Sequence, residues 1–329
     1  MKISILDLGT NTFNIFIAEI LPSPSGREGW GGYTKLYKSK IAVKLGEGGI
    51  NKNFIEEKPF ERGIRALKKH RKTSRKFGVD KIVAFATSAV RSASNGKDFV
   101  LAAKEKTGVE VQVISGDREA ELIYYGVKMA VQLNDTPSLI IDIGGGSTEF
   151  ILANKKEIFW KQSFLLGAAR LLEKFKPSDP ITGDEIKSIE VHLEKDLQPL
   201  FNTFANAQFP FPSRGGTGRG CELIGSSGSF DSLAEMIGYR FYDIEALKGK
   251  TEYGFDLKDF DKLYRILLLS TTAERITMKG LTKMRVDMIV VSAIIVNFIL
   301  KRLSIQKMRG SKFSLKEGVL WELMHLPQP

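Results

Sequence analysis

The chain has 329 residues, 43% hydrophobic and 26% charged, an ordinary globular balance in a length that exceeds one typical core. Its single cysteine, Cys221, excludes an internal disulfide framework and a cysteine-built zinc site, and His70, His192 and His325 lie too far apart to favour a histidine metal centre or a Ser-His-Asp triad. The formal net charge of +11 favours an anionic partner or substrate without saying which.

Apolar runs at 3–8, 13–20, 33–38 and 40–45 read as strands, with Phe13, Ile15 and Ile17 alternating as in a half-buried hairpin. A helix pattern follows at 57–77, then a strand at 81–86, a helix at 94–107, a strand at 109–114 and a helix at 117–132. The second half restarts the order, with strands at 138–143, 148–154 and 157–163 and helices at 166–175 and 182–205. A β-β-β-α-β-α-β-α order used twice predicts two like-folded α/β lobes with an interdomain cleft. The expected domains are 1–131 and 132–329, with the last ~20 residues returning to the first lobe. Two stretches rich in Gly, Pro and Ser, at 21–32 and 209–220, read as surface insertions without chemistry. Residues 286–300 are strongly apolar, but Asp287 and Asn297 leave the run too short for a bilayer, so a buried core helix is expected. Asp7 and Asn11 interrupt the apolar start, so no signal peptide is expected, and the reading is a cytoplasmic protein with no membrane partner.

The strongest local signal is Asp142-Ile143-Gly144-Gly145-Gly146-Ser147-Thr148-Glu149, where an apolar strand carries an aspartate straight into three glycines. An aspartate in such a strand is costly unless it is hydrogen-bonded or meets a cation. Glycines after it let backbone N–H groups approach a phosphate closely. Asp7-Leu8-Gly9-Thr10-Asn11 repeats the device at the first strand, so a phosphate and its divalent cation clamped between two related domains is predicted. The plainer alternative is a pair of structural turns, since aspartate often caps a strand end.

Ala86-Thr87-Ser88-Ala89-Val90-Arg91 sets small hydroxyls and an arginine at the C-terminal end of a strand, where open α/β sheets present ligands. Arg91 offers a planar donor fork to phosphate, or is a surface arginine near a helix start. Glu119 stands in the first turn of the helix after Ser115-Gly116, where an acid commonly serves the helix dipole. Water attack on a phosphoanhydride needs a base, and Glu119 fits that role if its turn faces the cleft. Gly225-Ser226-Ser227-Gly228-Ser229 is a second strand-to-helix turn, a phosphate cradle or a plain N-cap. The basic helix from Glu61 to Phe77 reads as a solvated face, the alternative being a basic track for a polyanion such as polyphosphate or nucleic acid, and no specific nucleic-acid partner is expected.

Together with Leu45-Gly46-Glu47-Gly48, Gly167-Ala168-Ala169-Arg170-Leu171, Glu274-Arg275 and Met284-Arg285-Val286-Asp287, these motifs resemble the Ppx/GppA family, exopolyphosphatases and guanosine pentaphosphate phosphohydrolases. The resemblance covers most of the chain outside the two insertions. It implies two ribonuclease-H-like lobes of the actin-like ATPase fold and a Mg²⁺-dependent hydrolase, or one using another divalent cation. The substrate would be polyphosphate or a guanosine nucleotide (pppGpp), whose terminal phosphate is released. Carried over by motif, Glu119 is the catalytic base, Asp142 and Glu149 with Asp7 hold the metal, and Thr10, Asn11, Ser88, Arg91, Gly144, Gly145, Gly146, Ser147 and Gly228 bind phosphates. A homodimer is carried as an expectation.

Arg118 stands where the family has an acid and Glu121 where it has an arginine, and no extra C-terminal helical domain follows the second lobe, which favours short or nucleotide substrates. Two other function classes stay open at this point. One is a non-catalytic binder of polyphosphate or alarmone, and the other is an acetate- or sugar-kinase-like phosphotransferase of the same fold.

Overall fold

The computed structural model describes residues 1–22, 30–205 and 220–325, so the insertions expected at 21–32 and 209–220 lie for the most part outside the described residues. The chain divides into two compact units, Met1–Gly126 joined by the C-terminal segment from Leu315, and Val127–Ser314.

The first unit is built on β1 (Lys2–Leu8), β2 (Thr12–Pro22), β3 (Trp30–Ala42), β4 (Lys81–Ala86) and β5 (Val111–Val113), in the order β3-β2-β1-β4-β5. β1, β4 and β5 run parallel, while β2 and β3 pair antiparallel to complete the sheet. The helices are α1 (Glu57–Lys76), α2 (Ser88–Ser92), α3 (Gly96–Thr107) and α4 (Gly116–Ala130), which runs on across the unit boundary. Phe99 of α3 sits edge-on between Phe13 and Phe60, with centroids 6.3 and 5.1 Å away. It leaves no space for a Cβ at Gly63, which lets α1 and α3 pack closely.

The second unit carries β6 (Ser138–Ile143), β7 (Thr148–Ala153) and β8 (Ile158–Phe164), then α5 (Ala168–Phe175), α6 (Gly183–Asp196) and α7 (Gln198–Ala205). β9 (Leu223–Ser226), α8 (Ser227–Phe241), β10 (Glu252–Phe255), α9 (Leu257–Leu269), α10 (Thr272–Thr277), α11 (Ile289–Arg302) and β11 (Met308–Ser311) follow. The sheet order is β10-β11-β9-β6-β7-β8, the same plan as the first unit with β10 added antiparallel at one edge. Every residue of β6 and β7 is buried. α11 is the apolar core helix expected near 286–300, buried on nearly every side. Among the described residues no helix is long and apolar enough to cross a membrane.

Three local readings change. The strands expected at 33–38 and 40–45 are one strand, β3, whose alternation is broken by a register shift between Ile17/Tyr37 and Ala18/Lys35. The helix expected at 182–205 is α6 and α7, parted at Leu197 because Pro199 is tolerated only in a first turn. The helix expected from 94 is preceded by a separate short one, α2.

The last helix, α12 (Leu315–His325), packs on β1 and β3 of the first unit. Gly318 meets the Leu122 carbonyl of α4, a contact that any side chain would block, and Trp321 stacks on Tyr125 at 4.1 Å.

Candidate active site

In the first unit the chemistry-bearing side chains gather at the C-terminal ends of the parallel strands. The Thr87 N–H bonds the Leu8 carbonyl and the Ile114 N–H bonds the Ala86 carbonyl, so the turns after β1, β4 and β5 lie side by side. Asp7 accepts from Asn14 Nδ2 at 2.9 Å, across the β1–β2 register. The next turn is fastened to residues 43–46, since the Asn11 carbonyl takes the Val43 and Lys44 N–H groups and the Thr10 carbonyl takes that of Gly46. Thr10 and Ser88 are 3% and 2% exposed, and neither hydroxyl has a hydrogen-bond partner among the described residues. Buried hydroxyls are seldom left unpaired, so the two at these adjoining turns could donate to a bound anion.

Glu119 is buried in the first turn of α4, and its Oε2 accepts from Arg91 Nη1 at 2.8 Å. The same guanidinium nitrogen reaches the Ile114 carbonyl at 3.1 Å, so Arg91 ties α2, β5 and α4 together and fixes the carboxylate's direction. Arg118, the neighbour of Glu119, points elsewhere, to Glu121 at 2.9 Å and to Glu322 of α12. Arg118 and Glu121 thus form an ion pair one turn along α4.

In the second unit the β6–β7 turn is held from behind by α5. The carbonyls of Gly144, Gly145 and Gly146 accept from the N–H groups of Ala168, Ala169 and Arg170 and from Arg170 Nε, at 2.9–3.0 Å. In a trans peptide the N–H opposes the C=O. The N–H groups of Gly145, Gly146 and Ser147 are therefore turned away from α5, as an anion-binding turn requires. Gly167 is needed at the N-cap of α5, since a Cβ would overlap the Gly145 backbone.

Asp142 and Glu149 are directly paired across β6 and β7, which puts the two carboxylates on one face, about 5 Å apart at Cβ. They are 6% and 1% exposed. Glu149 Oε1 takes the Ser163 hydroxyl at 2.7 Å. Asp142 Oδ2 takes both Ser226 Oγ at 2.8 Å and Ser314 Oγ at 2.5 Å, while Oδ1 accepts no hydrogen bond among the described residues. Like charges opposed on a buried sheet face destabilise it unless a cation lies between them. A hard divalent ion such as Mg²⁺ is commonly held by one or two carboxylates plus water and substrate phosphate, which is what this pair offers. Among the described residues no group of three or more His, Cys, Asp or Glu side chains forms a closed metal cage.

Opposite Asp142 on the other side of β6, α8 begins at Ser227, which adopts the left-handed φ of 71°. The Ser227 and Ser229 hydroxyls bond the Ile143 carbonyl at 3.2 and 3.3 Å. The Arg285 guanidinium lies flat against Gly228, where any Cβ would displace it, and its Nη1 is 3.4 Å from Ser229 Oγ. Burial lowers the Arg285 pKa against the pull of Asp231, Asp142 and Glu235, yet among the described residues it forms no ion pair.

Each unit thus assembles part of the expected set. Thr10, Asn11, Ser88, Arg91 and Glu119 belong to the first unit with Asp7, and Gly144, Gly145, Gly146, Ser147, Gly228, Asp142 and Glu149 to the second. Sequence reading gave no role to Arg170, Arg285 or Ser314. The first two stood inside motifs of the resemblance, and Ser314 carried no signal.

The family model of the Ppx/GppA phosphatase family matches residues 27–326. A solved exopolyphosphatase from Cytophaga hutchinsonii is 38% identical, covers 98% of both chains and superposes with a TM-score of 0.89. Exopolyphosphatase 1 of Mycobacterium tuberculosis is 25% identical over 322 residues, 97% of this chain and 87% of that one. The bifunctional 3-dehydroquinate synthase/phosphatase of Fusobacterium nucleatum is 37% identical over 174 residues, 52% of this chain. That match spans only 26% of the Fusobacterium protein's length.

Proposed function

Because the chain belongs to the Ppx/GppA phosphatase family and has its ribonuclease-H-like, actin-like ATPase fold, we propose that it is a phosphoanhydride hydrolase releasing terminal phosphate from inorganic polyphosphate. The single observation that carries this reading is the buried, directly opposed pair Asp142 and Glu149 beside a glycine turn whose N–H groups face outward. Full-length similarity to an exopolyphosphatase favours polyphosphate over pppGpp.

In this reading the substrate phosphate is bound by backbone and hydroxyl donors. The turn at Gly144–Ser147 and the hydroxyls of Thr10 and Ser88 bind its oxygens. Arg285 supplies positive charge at the start of α8, where the helix dipole already favours an anion. Asp142 and Glu149 hold Mg²⁺, which when bound would neutralise charge on the phosphate undergoing attack. Glu119, oriented by Arg91, accepts the proton of the attacking water. Arg91 orients the base and stabilises the developing charge on the phosphoryl group. The exchanged Arg118 and Glu121 neutralise each other and leave Glu119 in place, which argues for an enzyme over a disabled binder.

Phosphate release in Mg²⁺, measured side by side on polyphosphate, pppGpp, and ATP with acetate or sugar acceptors, tests the reading. Turnover of polyphosphate is expected. Transfer to an acceptor without free phosphate, or tight binding of either polyanion without release, would replace it with a kinase or a binder.

A further inference from the structure

We propose that Ser314 is a positioning residue for the cation site: its hydroxyl turns the Asp142 carboxylate so that Oδ1 is presented to the ion. The inference rests on the reading of Asp142 as a cation ligand. Asp142 Oδ2 is occupied by two hydroxyls of different origin. Ser226 arrives through sheet pairing, directly across from Asp142 on β9, and is fixed by the fold itself. Ser314 lies three residues beyond β11, 172 positions from Asp142, at the end of a turn built to deliver it. In that turn Ser311 Oγ donates to the Phe313 carbonyl at 2.7 Å and accepts the Phe313 N–H at 3.2 Å. Lys312 anchors the segment further, through its N–H to the Thr251 carbonyl and its Nζ to Asp231 and Glu235.

The consequence is a carboxylate with one saturated oxygen and one that accepts nothing from the described residues. Two donors on a single oxygen hold the carboxylate plane and direct the other oxygen, which is the usual work of groups that bond a metal's ligand and not the metal. Ser314 is also the last residue of the second unit, immediately before α12 in the first. The hydroxyl that orients the cation ligand therefore sits where the chain crosses from one unit to the other.

The test is Mn²⁺ binding to the substrate-free protein, followed by electron paramagnetic resonance of the free ion, for the wild type, Ser314→Ala, Ser314→Thr and Asp142→Asn. Ser314→Ala is expected to weaken Mn²⁺ about tenfold or more, and Ser314→Thr, which keeps the hydroxyl, to stay close to the wild type. In phosphate-release assays Ser314→Ala should raise the Mg²⁺ concentration needed for half-maximal rate and largely recover kcat at saturating Mg²⁺. If Ser314→Ala does not fold, Ser314→Gly removes the same hydroxyl. Wild-type Mn²⁺ affinity in Ser314→Ala, with affinity lost in Asp142→Asn, would overturn this inference and leave the functional reading standing. Wild-type affinity in both would overturn the assignment of Asp142 itself.

Discussion

Asp142 and Glu149 face each other across an antiparallel strand pair, both almost wholly buried, with the Ser226 and Ser314 hydroxyls on Asp142 and that of Ser163 on Glu149. Two adjacent buried carboxylates are a natural place for a divalent cation. Glu149→Gln should abolish the rise in melting temperature that Mg²⁺ gives the wild type, since a ligand that binds only the folded state stabilises it. Thermal melts with and without Mg²⁺ check this; equal Mg²⁺ shifts in both proteins would remove Glu149 from the cation site.

The glycine turn depends on α5 standing directly behind it. Gly167→Ala forces a methyl into the Gly145 backbone and is expected to cost about 1–3 kcal/mol of stability. Because the displaced carbonyls carry the N–H groups with them, KM for polyphosphate should rise more than the loss of folded protein explains. Denaturant unfolding alongside steady-state kinetics separates the two effects, and an unchanged KM would mean that the turn does not bind substrate.

How much of this was legible in the sequence follows the reach of each interaction. The Asp-x-Gly turns are local events, an aspartate at a strand end followed by glycines, and both were readable with their strands. Glu119 was readable because a first helical turn after a short strand has a fixed place in an α/β unit. Arg170 lies 24 residues from the Gly146 carbonyl it holds and Arg285 lies 56 from Ser229, distances over which no periodic pattern connects them. Ser314 was invisible for the same reason, since nothing in Ser311–Ser314 names Asp142 as its partner. β3 (Trp30–Ala42) reads as two strands because the register shift breaks its alternation, and alternation is the only local cue.

His70 gives the fold a pH response independent of the site. It is buried on α1 with Nε2 bonded to the Phe13 carbonyl, and burial lowers its pKa against the upward pull of that bond. The folded state then binds a proton less readily than the unfolded chain, so the contribution of neutral His70 is complete above about pH 6.5 and is lost as pH falls below it. His70→Gln should flatten the decline in melting temperature between pH 7.5 and 5.5. Parallel declines in the two proteins would show that other groups cause it.

Whether Glu119 takes the proton from the attacking water is tested most directly by Glu119→Gln, because the amide keeps the shape and the Arg91 contact while losing the base. Orthophosphate release from polyphosphate in saturating Mg²⁺ should fall by about 10²–10⁴-fold, with polyphosphate binding retained. Release at the wild-type rate by this variant would contradict the account.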